Sequence, residues 1–310
     1  MLKYTALAKR PSQFKSFTGL EVAEFDSLYS TIESRYEEFE QKRLSSRAGR
    51  KRGIGAGRPF SHSLKDRLLM LLVYYRLYVT SILVGYLFDL DQTNVLRDIR
   101  RLEPLVKECV PLPKKIYERT RRARTMEEVE EYFSGFIAII DSFEQEIPRP
   151  QNKRRRKSYY SGKRKKHTVK TQLSVNKEGV IFHRTGHVNG RRHDYDLFKE
   201  NHPKLPDGVS GIFDLGYLGV KKDFPELNPM IPFKRNRWHP RRLSKKKRRF
   251  NRKLSKIRVE VEHTISKLKK FRIIGEEFRN RLPHYDVMTS IVSGIVNMRM
   301  LGIGKSTAFL

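Results

Sequence analysis

Three acids in this chain stand where an acid is costly unless it works: Asp141, closing the apolar run "FIAIID", Asp214, inside "GIFDLGY", and Glu262, within "KIRVEVEHTISKLKKF". A central strand buries its body on both faces, and an acid within it is tolerated where it opens into a cleft. Gly216 lets the chain turn directly after the second acid. Two acids at strand ends and a third on a late helix can converge across a mixed sheet, and such a set suits hard cations. Carboxylate oxygens favour Mg²⁺ or Mn²⁺. Two such ions about 4 Å apart can activate an attacking oxygen on phosphorus and stabilise the leaving one. Clustered acids repel one another without metal, so the site is expected to be metal-dependent. Singly, each acid has an ordinary explanation as strand cap, turn former or salt bridge to Arg258; the ordered set is far more specific.

Cations surround these acids. Arg258, Glu262, Ser266 and Lys269 recur at helical spacing on one face, while Ile257, Val261, Ile265 and Leu268 line an adjoining apolar face. Glu260, two residues from Glu262, points away. Residues 152–170 hold ten basic residues and no acid, with Tyr159 and Tyr160 at their centre and Lys163, Lys165, His167 and Lys170 following. Residues 234–256 hold thirteen basic residues, again no acid, and the only tryptophan, Trp238. Basic runs interleaved with aromatics can grip backbone phosphates and stack on unpaired bases; either run could instead be a solvated loop. Glu144 and Glu146 lie past the first strand and are expected to pair with the basic loop.

The whole chain carries the same signature. Its 310 residues exceed one typical domain, and 66 Lys+Arg against 34 Asp+Glu give a formal charge of +32, which makes a polyanion the first partner to consider. Cys109 is the only cysteine, so an intramolecular disulfide and a cysteine-held zinc are both excluded. One stretch, residues 68–88, is long and apolar enough to span a bilayer. Arg76 in its middle and an N-cap at Thr80-Ser81 argue for two shorter helices instead.

The elements that must position the acids follow from periodicity and caps. Residues 18–41 show helical spacing at Leu20, Phe25, Leu28 and Ile32. Residues 42–59 read as a basic, Gly-rich linker. Residues 63–106 read as three helices, capped at Ser63, Thr80 and Asp91, with the short turn "FDLD" before the third, as a helix-turn-helix requires. In that third helix Val95, Ile99 and Leu102 pack inward, leaving Gln92, Thr93, Asn94, Arg97 and Arg101 for base edges and phosphates. After the capped helix "TMEEVEEYF" come strands at 135–143, 167–175, 179–188 and 209–217, a shorter one at 228–233, and a helix near 194–201. Three strands in succession, then alternation with helices, imply a mixed sheet.

With these residues placed, the chain resembles the Asp-Asp-Glu transposases of prokaryotic insertion sequences, in particular compact members of insertion sequence family five. "AIIDSFEQEIPRP", "YYSGKRKKHTVK", "GHVNGRRHDYDLF", "FDLGYLG" and "NRKLSKIRVEVEHTISKLKKFRII" are similar, in order, to the family's segments over residues 135–275. The resemblance implies an α/β fold: a ribonuclease-H-like mixed-sheet catalytic domain preceded by an all-α helix-turn-helix DNA-binding domain. It assigns Asp141, Asp214 and Glu262 as catalytic metal ligands, for Mg²⁺ or Mn²⁺ and two ions. Arg258 and Lys269 match the family's Arg-x3-Glu-x6-Lys signature and are expected to contact DNA; Ser255 replaces its usual Tyr, and Ser142-Phe143 replaces the usual Gly-Thr or Ala-Thr. His193 and Asp194 are expected to position the cleft or assist a ligand. The expected divisions are 1–41, a helical segment; 42–59, the linker; 60–124, the helix-turn-helix domain; and 125–310, the catalytic domain with a basic insertion at 234–256. Implied partners are the terminal inverted repeats, target DNA and a second copy on paired ends, in the cytoplasm at the nucleoid and with no membrane. A nuclease on the same core, or a copy that only binds DNA, are the other readings.

Overall fold

Caps decide where the N-terminal helices begin. In the computed structural model, which describes residues 1–46, 53, 59–123, 125–234 and 243–303, α1 (Tyr4–Leu7) and α2 (Pro11–Thr18) lead into α3 (Val22–Ser45), opened by a reciprocal Glu21/Glu24 capping box. Ser63, Thr80 and Asp91 accept the backbone N–H of Asp66, Leu83 and Thr93, so α4 (Leu64–Leu77), α5 (Ser81–Phe88) and α6 (Gln92–Cys109) each start at the anticipated cap. The apolar run at 68–88 is thereby split in two. Among the described residues no helix is long and apolar enough to cross a membrane. Phe25, Leu28 and Ile32 of α3, and Val95, Ile99 and Leu102 of α6, are all buried.

Gly85 sets how tightly α5 turns into α6. Its carbonyl accepts the Leu90 N–H at 2.9 Å, and a Cβ on it would lie 2.3 Å from the Leu90 carbonyl oxygen. Gly85→Ala must therefore push the turn open, an overpacking cost of about 1–3 kcal/mol. A lower melting temperature is the expected result; a wild-type value would refute this role.

Helices α1 to α6 form one compact unit, Met1–Pro111, with Lys270–Ile273 and Val287–Leu310; the other is Leu112–Lys269 with Ile274–Asp286. This differs from the division expected at residues 124 and 125. Pro111 and the α14 residue Asn297 share a hydrogen bond (3.1 Å), and Arg299 stands 3.6 Å from Glu24, so the C-terminal helix α14 (Tyr285–Met300) runs into the helical unit rather than ending the sheet unit. Residues 42–45, expected in the linker, belong to α3; positions 47–52 and 54–58 of that linker lie outside the described residues.

The second unit starts with α7 (Pro113–Thr120) and α8 (Met126–Tyr132), then β1 (Ile137–Glu146). After it come α9 (Lys153–Tyr159), β2 (Tyr160–Ser161), β3 (Lys166–Asn176), β4 (Ile181–Arg184), β5 (Val188–Asn189), α10 (Asp194–Asn201) and β6 (Ser210–Ile212). A 3-10 turn at Leu215–Tyr217, the short α11 (Val220–Asp223), α12 (Lys245–Lys269) and α13 (Arg272–Gly275) follow. The sheet order is β2-β3-β1-β6, with β4 and β5 also on β3. The β1–β3 pairing is antiparallel and β1–β6 parallel, so the sheet is mixed as its pattern implies. Ala138 and Ile140 of β1 pack with Phe198, Phe213 and Tyr217 in one apolar cluster.

Three expected strands are shorter. Residues 179–188 break into β4 and β5 around Thr185, whose side-chain hydroxyl accepts the Gln172 N–H of β3 (3.1 Å). The strand expected to run to 217 stops at Ile212, and 228–233 reduces to a single bridge between Met230 and Ile212. The basic insertion expected at 234–256 is, from Lys245 onward, the first half of α12, since Lys and Arg are good helix formers and Ser244 Oγ accepts the Lys247 N–H (3.3 Å).

Candidate active site

Asp141 and Asp214 meet because of where the parallel pairing stops. The last pair of β1 and β6 is Ile139 with Ile212, and each acid stands two residues beyond it. Where neighbouring parallel strands part, their carboxyl ends open onto a crevice. Asp214 folds back to accept the Gly216 N–H (2.7 Å), which ends β6 and starts the 3-10 turn. Asp141 accepts the Ser142 N–H (2.8 Å). It lies in mid-strand, not at the strand end as expected, because β1 keeps its antiparallel partner β3 through Glu146.

Glu262 arrives from α12, which packs on β1 and β3. Val261, Thr264 and Leu268 are buried beneath that helix, with Thr264 Oγ1 donating to the Gly179 carbonyl (3.1 Å). Glu262 and Lys269 lie toward the open side, and Glu260 turns away to Lys267 (3.6 Å) and His263. A cavity of about 200 Å³ is lined by Asp141, Glu144, Asp194, Asp214 and Glu262, with Lys163, Arg164 and Lys269 on its rim. The three sequence-marked acids thus share one cavity. Glu144, expected only to pair with the basic loop, and Arg164, passed over among the basic residues, line it too.

The electrostatics are uneven across this cavity. Burial pushes Asp141 up to about 6, with the Asp214 charge adding to the rise. Burial also opposes ionisation of Asp194, but the Lys170 ammonium (2.7 Å) and the Ser142 hydroxyl (2.7 Å) outweigh it and hold that carboxyl below its ordinary range. Burial and Arg164 lower Lys269. Arg258, expected on DNA, has Nη2 3.9 Å from Asp141 Oδ2, and its buried Nε makes no hydrogen bond among the described residues.

Lys170, expected to contact DNA, is buried and faces inward. Its ammonium donates to the Arg192 carbonyl (2.6 Å) and pairs with Asp194 and with Glu144 (3.7 Å), its cross-strand neighbour. Period-two alternation on β3 puts it on the polar buried row with Thr168, Gln172 and Ser174. Glu146 does pair with the basic segment, through Lys166 (2.6 Å). His193 caps α10, its Nδ1 accepting the Tyr195 N–H at 3.3 Å. Tyr160 and His167 meet edge to face at 5.6 Å across the β2–β3 pair, Tyr159 is half-buried, and Lys165 holds a left-handed φ of 58° in the connecting turn. Trp238 lies outside the described residues.

On α6, Gln92, Thr93, Arg97 and Arg101 line one surface hollow with Arg100, which sequence reasoning missed, and Arg97 donates to Asn94 Oδ1 (3.0 Å). Residues 63–112 match the helix-turn-helix of DDE superfamily endonucleases, and residues 140–297, half the chain, match the DDE superfamily endonuclease family itself. The chain belongs to the DDE superfamily endonucleases. It is similar to the probable transposase for insertion sequence element IS702 of Microchaete diplosiphon, 29% identical over 241 residues that cover 76% of this chain and 81% of that protein. No solved structure matches it. DDE superfamily endonucleases are divalent-metal-dependent enzymes, and the two matched regions imply DNA as the partner.

The cavity's chemistry fits that dependence. Among the described residues no three His, Cys, Asp or Glu side chains stand close enough to hold an ion as they lie. The donor set is nonetheless all oxygen, and Asp141, raised chiefly by burial and further by the Asp214 charge, is a carboxylate whose ionised form a hard cation would compensate.

Proposed function

We propose that this DDE superfamily endonuclease is a DNA transposase, which binds the terminal inverted repeats of its own element, cleaves at the element ends and joins the freed 3′-OH to target DNA. The observation that carries the reading is the shared cavity of Asp141, Asp214 and Glu262 beneath a rim of Lys163, Arg164 and Lys269. The three acids would hold Mg²⁺ or Mn²⁺, two ions in the full site. When bound, the ions supply Lewis-acid activation of the attacking oxygen and charge stabilisation of the leaving one.

The chain's own residues do the rest by positioning and electrostatics. Lys163, Arg164 and Lys269 balance phosphate charge at the cavity mouth, and Arg258 steadies Asp141 from the α12 side. Asp194, anchored by Lys170 and Ser142, fixes the α10 wall, with His193 holding the start of that helix. The hairpin residues Tyr159, Tyr160, Lys165 and His167 contact DNA beyond the cavity. In the helix-turn-helix unit, Gln92, Thr93, Asn94, Arg97 and Arg101 read and grip the repeats. Two copies act on paired ends, in the cytoplasm at the nucleoid. The IS702 resemblance supports this choice among the activities of the superfamily.

Labelled element-end DNA incubated with a target plasmid tests the reading. Joined product with Mg²⁺ or Mn²⁺, and none in EDTA, is expected. Metal-dependent cleavage without joining would replace the reading by a nuclease, and binding with neither reaction by a DNA-binding protein.

A further inference from the structure

Beyond the acid cavity, the sheet unit holds a larger hollow of about 880 Å³, walled by Tyr160, His167 and five cations, of which Arg156 is half-buried and donates to the Pro150 and Gln151 carbonyls while Arg149, Lys153, Lys157 and Arg191 are free to face a ligand. The four cations are exposed, no acid lines the hollow, and none of the four takes part in an ion pair among the described residues. Tyr160 is 40% exposed, so its ring is open to a partner at the hollow. The hollow is joined to the acid cavity through one turn: Gly162 lines the hollow, and Lys163 and Arg164, the next two residues, line the cavity. A strand whose reacting phosphate sits among the acids would cross that turn and enter the hollow within a few nucleotides.

We infer that this hollow is a single-strand subsite: the four cations hold successive phosphates, and the Tyr160 ring stacks on an unpaired base. The inference rests on the transposase reading for the direction of the strand, but not for the site itself. Cations alone would suit duplex and single strand alike. The exposed ring beside them is what favours an unpaired base, because a duplex keeps its base faces covered while every splayed base offers one. His167 meets the Tyr160 ring edge to face at 5.6 Å, so the two rings form one wall of the hollow.

The test uses the full chain in EDTA, so that no chemistry intervenes. Fluorescence anisotropy measures binding to a labelled oligothymidine and to a labelled duplex of unrelated sequence, for wild type, Tyr160→Ala, Tyr160→Phe and the triple variant Arg149→Gln/Lys153→Gln/Arg191→Gln. Tyr160→Ala is expected to weaken the single strand about ten-fold or more, the scale of one lost base stack, and to change duplex binding less than two-fold; Tyr160→Phe should bind as wild type. The triple variant should lower the salt slope for single strand by about two, from three lost phosphate contacts. Wild-type single-strand affinity in Tyr160→Ala, or equal losses on both DNAs, would overturn the inference. Failure of the joining assay with selective loss in Tyr160→Ala would remove the transposase reading and leave the subsite standing. Joining with no selectivity would do the reverse.

Discussion

Asp141→Asn is expected to make the metal-free protein more stable and to abolish strand joining. Burial raises the Asp141 carboxyl from the ordinary 3.8 to about 6 in the folded chain. A raised folded pKa contributes stability that is present below about 3.8 and lost as pH rises through about 6, so at pH 7.5 the ionised carboxylate costs the fold about 2–3 kcal/mol. Asn keeps an oxygen for the Ser142 N–H and carries no charge. In EDTA at pH 7.5 the variant should therefore melt a few degrees above wild type, and the gap should close as pH falls below 6. With Mn²⁺ the order reverses, because a ligand that binds only the folded state stabilises wild type alone. Joining should fall by more than about a hundred-fold, the scale reached when a residue that merely orients a metal ligand is lost. An EDTA melting point no higher than wild type, or an equal response to Mn²⁺, would remove Asp141 from the ligand set.

That trade of stability for chemistry is legible in "FIAIID" itself, since an acid within a buried strand is costly unless it opens into a cleft. What sequence could not supply was the register. Asp141 and Asp214 are neighbours because Ile139 pairs with Ile212, and strand pairing across 73 positions of sequence leaves no local trace. The helices read differently: α4, α5 and α6 began at Ser63, Thr80 and Asp91 because a cap and a 3.6-residue period are both local. Short strands failed for the complementary reason. In "VSGIFDLGY" the apolar run continues to Tyr217, yet Asp214 spends its carboxylate on Gly216 and ends the strand early.

The basic runs were legible as a class and not as individuals. Lys163, Arg164, Lys166 and Lys170 lie within eight residues, yet the first two reach the acid cavity, the third pairs with Glu146 and the fourth is buried against Asp194. Side-chain direction in a hairpin is set by its turn, and here the turn uses a left-handed Lys165, a conformation that composition would not suggest. A signal for Lys170 did exist: counted at period two from Thr168, it falls on the row of Gln172 and Ser174, all polar and all buried. A cation in such a row needs an acid across the strand, and Glu144 is that acid.

The same rule, that a buried cation requires its acid, gives the second large effect, in the helical unit. Arg67 of α4 is 2% exposed and holds Asp98 of α6 through Nε (2.8 Å) and Nη2 (2.6 Å), while Nη1 donates to the Tyr36 hydroxyl (2.7 Å) and Phe60 covers the guanidinium at 3.6 Å. Asp98→Ala leaves that guanidinium buried with one neutral acceptor, a loss of about 3–5 kcal/mol. For a unit of this size the melting point should drop by roughly 10–20 °C, and binding to element ends should fall with it, since Asp98 lies on the helix that presents Arg97 and Arg101. Removing both charges tells the pair's net worth apart from the cost of breaking it. Arg67→Met/Asp98→Leu is expected to recover most of the lost stability, because an apolar pair of similar volume needs no desolvation of charge. If the double variant melts no higher than Asp98→Ala, the pair is holding α4 and α6 in register through its geometry, and the loss cannot be assigned to an orphaned charge.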